Sequence, residues 1–303
     1  MSKSNIMSLP RKIHDVLTLT RVRGLSARRI AEGLRLGADA GSVDALCGYF
    51  HLRAGRWDSA REESAVILET CRSQNIGIRV LGEAGYPPLL AEIPDPPPLL
   101  YVKGAGIDLL NQTCVAVVGS RAAVEFSLRK AGELGGIFSA PPYVHVSGLA
   151  LGCDCAGHAG ALRQSGRTLA VLAGGLDMVH PAGNKDLAEA ILAAGGCLLS
   201  ENPPGTRATG KSLIARNRIQ SGLSRATIIV QTSVRSGTMS TARFCLQQKR
   251  ILACVVARGM EAEASDLFGG NALLLSEHKA LPVDSPDDIK RLRAALAPQG
   301  DPR

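Results

Sequence analysis

Aromatic side chains are scarce in this chain: one Trp, four Tyr and five Phe make up 3% of 303 residues. Its core must therefore be aliphatic, and few side chains are available to stack on a planar ligand. No apolar run reaches the roughly 18 to 20 residues of a transmembrane helix. The N-terminal MSKSNIMSLPRK also lacks the apolar centre of a secretory signal, so no membrane contact and a cytoplasmic location are expected. There is no G-x-G-x-x-G fingerprint, and no strand leads straight into ATGKS at 208–212, the fragment that resembles the end of a Walker A loop. Neither a dinucleotide nor ATP is expected as a cofactor. Acidic residues are missing altogether from 202 to 260, a stretch that holds ten Lys and Arg.

That last absence locates the charge. The net +8 divides into +2 for residues 1–113, +9 for 114–260 and −3 for 261–303. Arg outnumbers Lys by 26 to 9, and the guanidinium fork suits bidentate phosphate contacts. The middle of the chain is a candidate surface for a polyanion. Eight cysteines lie scattered through segments that read as buried strands, which points to small apolar core residues in a reducing compartment.

Residues 1–75 carry helical periodicity through Ile13, Val16, Leu17 and Leu19, then from a Ser26 cap through Ile30 and Leu34. Further helical stretches run through Val43, Leu46 and Phe50 and from about 59 to 73. This predicts a small helical domain of the SAM-like or helix-hairpin-helix-like kind. Residues 76–113, with prolines crowded between Pro87 and Pro98, are expected to form an extended connector packed on the next domain. From 114 to 280 short Val-, Ile-, Leu- and Cys-rich runs recur at 114–118, 143–146, 168–173, 197–200, 226–231 and 251–256, most of them separated by helix-length segments. Buried parallel strands with crossover helices explain that spacing, so the expected class is α/β, an extended Rossmann-like, doubly wound, mostly parallel sheet. Residues 281–303 are expected to be a short surface helix and tail.

Several strands end in small turns: Gly119-Ser120-Arg121, Ser147-Gly148-Leu149, Gly174-Gly175-Leu176, and Ser236-Gly237-Thr238 beyond the fifth run. In an open parallel sheet such turns converge on one rim, where helix N-termini present free N–H groups to anions. Gly119 permits the tight turn, Ser120 can donate to a phosphate oxygen and Arg121 adds a cation. Arg216 and Arg218, flanking Asn217, have no acidic neighbour in sequence and are expected to face solvent or phosphate. Cys153, Cys155 and His158 invite a zinc reading, but a fourth tetrahedral ligand is missing and no metal site is expected. Asp154 is read as a favourable charge near a helix N-terminus.

In order, GYPPLL, PPPLLYVKG, VAVVGSR, SGLALGCDCAGHAGAL, GRTLAVLAGGLDMVHPAGN, LLSENPPGT, RNRIQSGLS and SGTMSTA resemble the DprA/Smf family of bacterial DNA-processing proteins over most of residues 10–280. The resemblance implies a helical N-terminal domain before a Rossmann-fold domain, and single-stranded DNA binding. It also implies loading of the RecA recombinase during natural transformation, and a homodimer. It implies no catalytic residue. Carried over residue by residue, the DNA site comprises Gly119, Ser120, Arg121, Arg216, Asn217 and Arg218, with Ser147, Gly148, Ser236, Gly237 and Thr238 on the same rim and Lys211 as an added phosphate contact. The chain departs from the family pattern at Leu213-Ile214, where Phe-Pro is common, at Leu151 for Arg, at His180 for Tyr and at Gln231 for Glu. The winged-helix domain of many members is not expected here. The alternative is a small-nucleotide sensor or phosphoribohydrolase-like enzyme, but Ala242 stands near the place where such enzymes carry a Glu and the rim shows no paired carboxylates.

Overall fold

A computed structural model describes residues 11–36, 43–52, 54–258 and 266–297. Four helices come first, α1 (Arg11–Arg21), α2 (Ala27–Arg35), α3 (Val43–Phe50) and α4 (Ala54–Ser73). Ser26 caps α2, its hydroxyl accepting from the Arg29 N–H at 3.3 Å. Strand β1 (Ile76–Val80), the short helix α5 (Pro88–Ala91), strand β2 (Leu99–Lys103) and a 3-10 turn (Gly106–Asn111) follow.

The α/β body then runs β3 (Thr113–Val118), α6 (Glu125–Ile137), β4 (Tyr143–Ser147), α7 (Cys153–Arg163), β5 (Thr168–Val171), α8 (Lys185–Ala193) and β6 (Cys197–Ser200). After the paired helices α9 (Gly210–Ala215) and α10 (Asn217–Leu223) come β7 (Ala226–Ile229), α11 (Thr238–Gln247), β8 (Ile251–Val255), α12 (Gly269–Ser276), β9 (Leu281–Val283) and α13 (Pro286–Leu296).

All six apolar runs are strands, and nine strands form one sheet in the order β1-β2-β6-β5-β4-β3-β7-β8-β9. From β6 to β9 every pairing is parallel, while β1 and β2 add an antiparallel edge. The interior strands are buried on both faces, which is why they read as unbroken aliphatic runs. From β3 the chain winds outward through β4, β5 and β6, then returns to lay β7 and β8 on the other side of β3. The reversal beside β3 is where an open α/β sheet leaves a crevice at its carboxyl ends.

Three expectations change here. The 76–113 segment is no mere strap, because β1 and β2 extend the sheet, with Tyr101, Val102 and Lys103 paired to β6. The prolines are confined to the loop between those strands, where no ladder N–H is needed. The helices of 1–75 share a core with the sheet, since Val16, Leu17, Leu19 and Ile30 pack in one cluster with Ile78, Tyr101, Ala170 and Leu198. Beyond 280, β9 pairs with β8, with Pro282 tolerated on the edge strand, and α13 buries Leu292 and Leu296 beside Val115 and Val117.

Helices α6 and α7 approach until their backbones touch. A Cβ on Gly160 would stand 1.9 Å from the Gly132 carbonyl oxygen, and one on Gly135 would stand 2.1 Å from that of Gly157. No side-chain rotation relieves a clash with backbone, so Gly160→Ala is expected to destabilise by about 3 kcal/mol or more. Urea unfolding checks this, and a loss below about 1 kcal/mol would show that the helices separate freely. None of the eight cysteines is in a disulfide, and burial pushes Cys114, Cys153, Cys197 and Cys254 up to about 12, so these four act as apolar filling.

Candidate nucleic-acid interface

The site is assembled from the loops after β3, β4 and β7. After β3, the Ser120 N–H donates to the Gln231 carbonyl at 2.9 Å and the Cys153 N–H donates back to the Ser120 carbonyl at 3.1 Å. Gln231 also spans the next residues, its Oε1 accepting from the Val124 N–H at 3.1 Å and its Nε2 donating to the Ala122 carbonyl at 3.4 Å. Gly119 has no room for a side chain, since a Cβ there would lie 2.5 Å from Cys153 Sγ. This fastened turn leaves Arg121 exposed.

After β4 the chain folds over a buried carboxylate. Asp154 Oδ2 accepts from the N–H groups of Gly148 at 3.1 Å and Ala150 at 3.4 Å, and Arg216 Nη2 lies 3.8 Å away. Burial pushes the Asp154 carboxyl above the usual carboxylate range, against the opposing pull of Arg216 and the backbone donors. Arg216 Nη1 donates to the Val171 carbonyl at 2.8 Å. With its amide oriented to suit its neighbours, Gln220 accepts from Arg216 Nη1 and the Gly148 N–H and donates to Asn217.

After β7, Asn271 on α12 clamps the strand ends: its Oδ1 accepts from the Thr232 N–H and its Nδ2 donates to the carbonyls of Val230 and Val255. That fixes the approach to Ser236-Gly237-Thr238, which opens α11, and Asn217 Nδ2 reaches across to Ser240 Oγ at 3.1 Å.

Between these loops lies a cleft of about 500 Å³. Of the residues expected to bind DNA, Gly119, Ser120, Arg121, Arg216, Asn217, Ser236, Gly237 and Thr238 line it. Ser147, Gly148, Lys211 and Arg218 do not. Ser147 is buried, its hydroxyl donating to the Val117 carbonyl at 2.8 Å. Gly148 faces a smaller side chamber, and Lys211 is exposed on α9.

The expectation that Arg216 and Arg218 face solvent is corrected, since they are 4% and 7% exposed, although Arg216 still lines the cleft. Arg218 forms a two-pronged pair with Glu201, both contacts 2.7 Å, and its Nε lies 3.0 Å from Asp95 Oδ2. The acids absent from the local sequence arrive from β4–α7, from β6 and from the proline loop.

The acid-free basic stretch is also divided by the fold. Arg207, Lys211 and Arg235 sit on loops or helices at the carboxyl ends of the strands, with Arg121. Arg225, Lys249 and Arg250 precede β7 and β8 and lie at the opposite end of the sheet, where Arg250 pairs with Glu92 at 2.9 Å. Gln220, Asn271 and the bridging role of Gln231 carried no sequence signal, since polar residues that bond to backbone at a distance look like any others.

A profile of the family described as DNA recombination-mediator protein A matches residues 77–293. The chain belongs to this family. Among curated relatives, the DNA processing protein DprA of Bacillus subtilis is 33% identical over 223 residues, covering 74% of this chain and 73% of that protein. Protein Smf of Synechocystis is 37% identical over 186 residues, which are 60% of this chain and 46% of that protein. The chain thus spans about half the length of several of the DNA-processing proteins it matches.

Among solved structures, the X-ray structure of DprA from Streptococcus pneumoniae superposes with a TM-score of 0.78 at 29% identity, covering 94% of this chain and 98% of that one. A Helicobacter pylori DprA structure, described for its single-stranded DNA binding mode, gives 0.62 at 28% identity over 72% and 95%. This family member has the Rossmann-like sheet and N-terminal helices that the resemblance implies. No helix among its described residues is long and apolar enough to cross a membrane.

Proposed function

We propose that the cleft binds single-stranded DNA by its phosphates, and that the protein works as a non-catalytic DNA-processing factor. In this reading it acts in the cytoplasm as a homodimer, protecting DNA and loading RecA onto it in natural transformation or recombination. The observation that carries the reading is Arg121: exposed, without a carboxylate partner among the described residues, and set on a rigid turn facing the N-terminus of α11. A cation and backbone donors that are already in place suit a phosphate better than a neutral ligand. The DNA binding described for the Helicobacter pylori relative supports the same ligand.

A hydrolytic alternative has little to work with. Asp154 is the one acidic residue among those lining the cleft, and its carboxylate is turned under toward Gly148, Ala150 and Arg216.

Fluorescence anisotropy with oligo-dT tests the reading. The logarithm of affinity should fall linearly with the logarithm of salt concentration, and Arg121→Ala should weaken binding about tenfold at low salt and reduce the slope by about one. Binding indifferent to both salt and Arg121 would refute it.

A further inference from the structure

A second concave space, sharing no residue with the main cleft, lies at the seam between the N-terminal helices and the sheet. Its volume is about 140 Å³, roughly tenfold what a single water molecule requires, so it has room for more than one bridging solvent molecule. The turn before α2 and α2 itself supply Leu25 and Ile30 to its lining, while the start of β2 and the loop after β6 supply Pro98, Leu99 and Pro203.

Among these aliphatic residues sit two groups that suit an anion. Arg21, at the end of α1, donates from Nε to the Thr20 hydroxyl at 3.4 Å, and that hydroxyl donates in turn to the Leu17 carbonyl at 2.7 Å. A cation in the last turn of a helix ordinarily serves the helix carbonyls. The Arg21 guanidinium instead lines the space, bonded to neither a carboxylate nor a carbonyl among the described residues.

Tyr101, on β2, is the second group. It is 2% exposed and lines the space, yet its hydroxyl makes no hydrogen bond among the described residues. A buried tyrosine hydroxyl ordinarily has a partner. Burial and the neighbouring Cys71 push this hydroxyl above its usual range, and the charge of Arg21 pulls it the other way. Glu201 also lines the space, but both of its oxygens accept from Arg218 at 2.7 Å, which neutralises its charge.

This combination selects among ligands. Inorganic phosphate would lose hydration against the aliphatic walls without replacement, and a neutral hydrocarbon would leave Arg21 and Tyr101 unpaired. A short aliphatic carboxylate meets both demands: its oxygens accept from the guanidinium and the phenol, and its tail covers the apolar wall.

We propose that this seam is a binding site for a short aliphatic carboxylate, held by Arg21 and Tyr101 with its tail against Leu25, Ile30 and Pro98. Residues of α1 and α2 share a core with β1, β2, β5 and β6, so a ligand at this seam ties the helices more firmly to the sheet. The site is independent of the single-strand reading and stands or falls without it.

Isothermal titration calorimetry and thermal unfolding of the full chain test it, with n-butyrate compared at constant ionic strength with inorganic phosphate, butan-1-ol and n-butylammonium. Butyrate should bind at one site per chain and raise the unfolding midpoint by about 2 °C or more at tenfold over its Kd, while the other probes give less than about half that rise. Tyr101→Phe, which keeps the ring, and Arg21→Gln should each weaken butyrate binding at least about fivefold. Melting without ligand verifies that each variant is folded, and if Tyr101→Phe is not, Arg21→Gln at the partly exposed end of α1 decides. No butyrate binding, an equal effect from phosphate, butanol or butylammonium, or affinity unchanged in the folded variants would each overturn the proposal.

Discussion

Arg218→Ala is expected to cost the fold about 3 kcal/mol while leaving DNA affinity within about threefold of the unaltered protein. The guanidinium donates twice to Glu201 at 2.7 Å, to the Asp95 carbonyl at 3.1 Å and to the Ala215 carbonyl at 3.0 Å. It thereby ties the proline loop, the end of β6 and the α9–α10 junction together. Burial disfavours its charge, but the hydrogen bonds and charge of Glu201, with Asp95 beyond, outweigh that and hold its pKa above the ordinary arginine range.

Removing one partner leaves Glu201, a largely buried carboxylate at 18% exposure, without its counter-ion, and that stranded charge is the main source of the cost. Removing Glu201 as well should therefore restore part of the loss, a coupling that a double-mutant cycle in urea measures directly. DNA affinity is compared at a temperature where every variant is folded. A small stability change accompanied by a collapse of oligo-dT binding would mean that Arg218 reaches the strand after all.

Acid should weaken this fold well above the pH at which ordinary carboxylates titrate. His145 on β4 and His158 on α7 are both fully buried, stacked edge to face with ring centroids 4.9 Å apart. Their Nδ1 atoms share the Thr168 hydroxyl at 2.8 and 2.7 Å, and both Nε2 atoms are unpartnered. Burial lowers His145 to about 3, and burial together with the neighbouring ring and Arg216 lowers His158 well below 6.5.

As the pH falls below 6.5 the folded protein keeps both rings neutral while the unfolded chain takes up a proton on each. Stability is therefore retained above 6.5 and lost as the pH falls through it. At 1.36 kcal/mol per pH unit, moving from pH 7.5 to 5 should cost about 2 kcal/mol through His145, and His158 adds to the loss in the same direction. Lowered His14 acts in the same direction and raised Asp154 in the opposite one, so the variants isolate the pair. Urea unfolding from pH 7.5 to 4.5 should show a steep slope that flattens in His145→Gln or His158→Asn, whatever either change does to stability at pH 7.5. A slope unchanged in both would remove these rings from the explanation.

The six main strands were readable because a parallel strand covered on both faces must be aliphatic along its whole length, and such runs survive in sequence unblurred. The glycine turns that follow β3 and β7 were readable for a related reason: a strand end that bends sharply into a helix needs small residues at that point. The outer strands were hidden. Strand β1 is short and followed by a proline-rich loop, and β9 is three residues long with Pro282 in its middle; at an edge a missing N–H costs no ladder bond.

The arginines divide along the same line. From sequence, Arg121, Arg216 and Arg218 look alike, as cations free to meet a phosphate. The partners of Arg218 lie 17 and 123 residues earlier in the chain, and the acid beside Arg216 comes from the start of α7. Local composition thus revealed the α/β class, the rim and the Gly119-Ser120-Arg121 turn. Tertiary structure alone decided which cations remain free, because an ion pair depends on distance in space, and the sheet brings together strand ends that the chain keeps far apart.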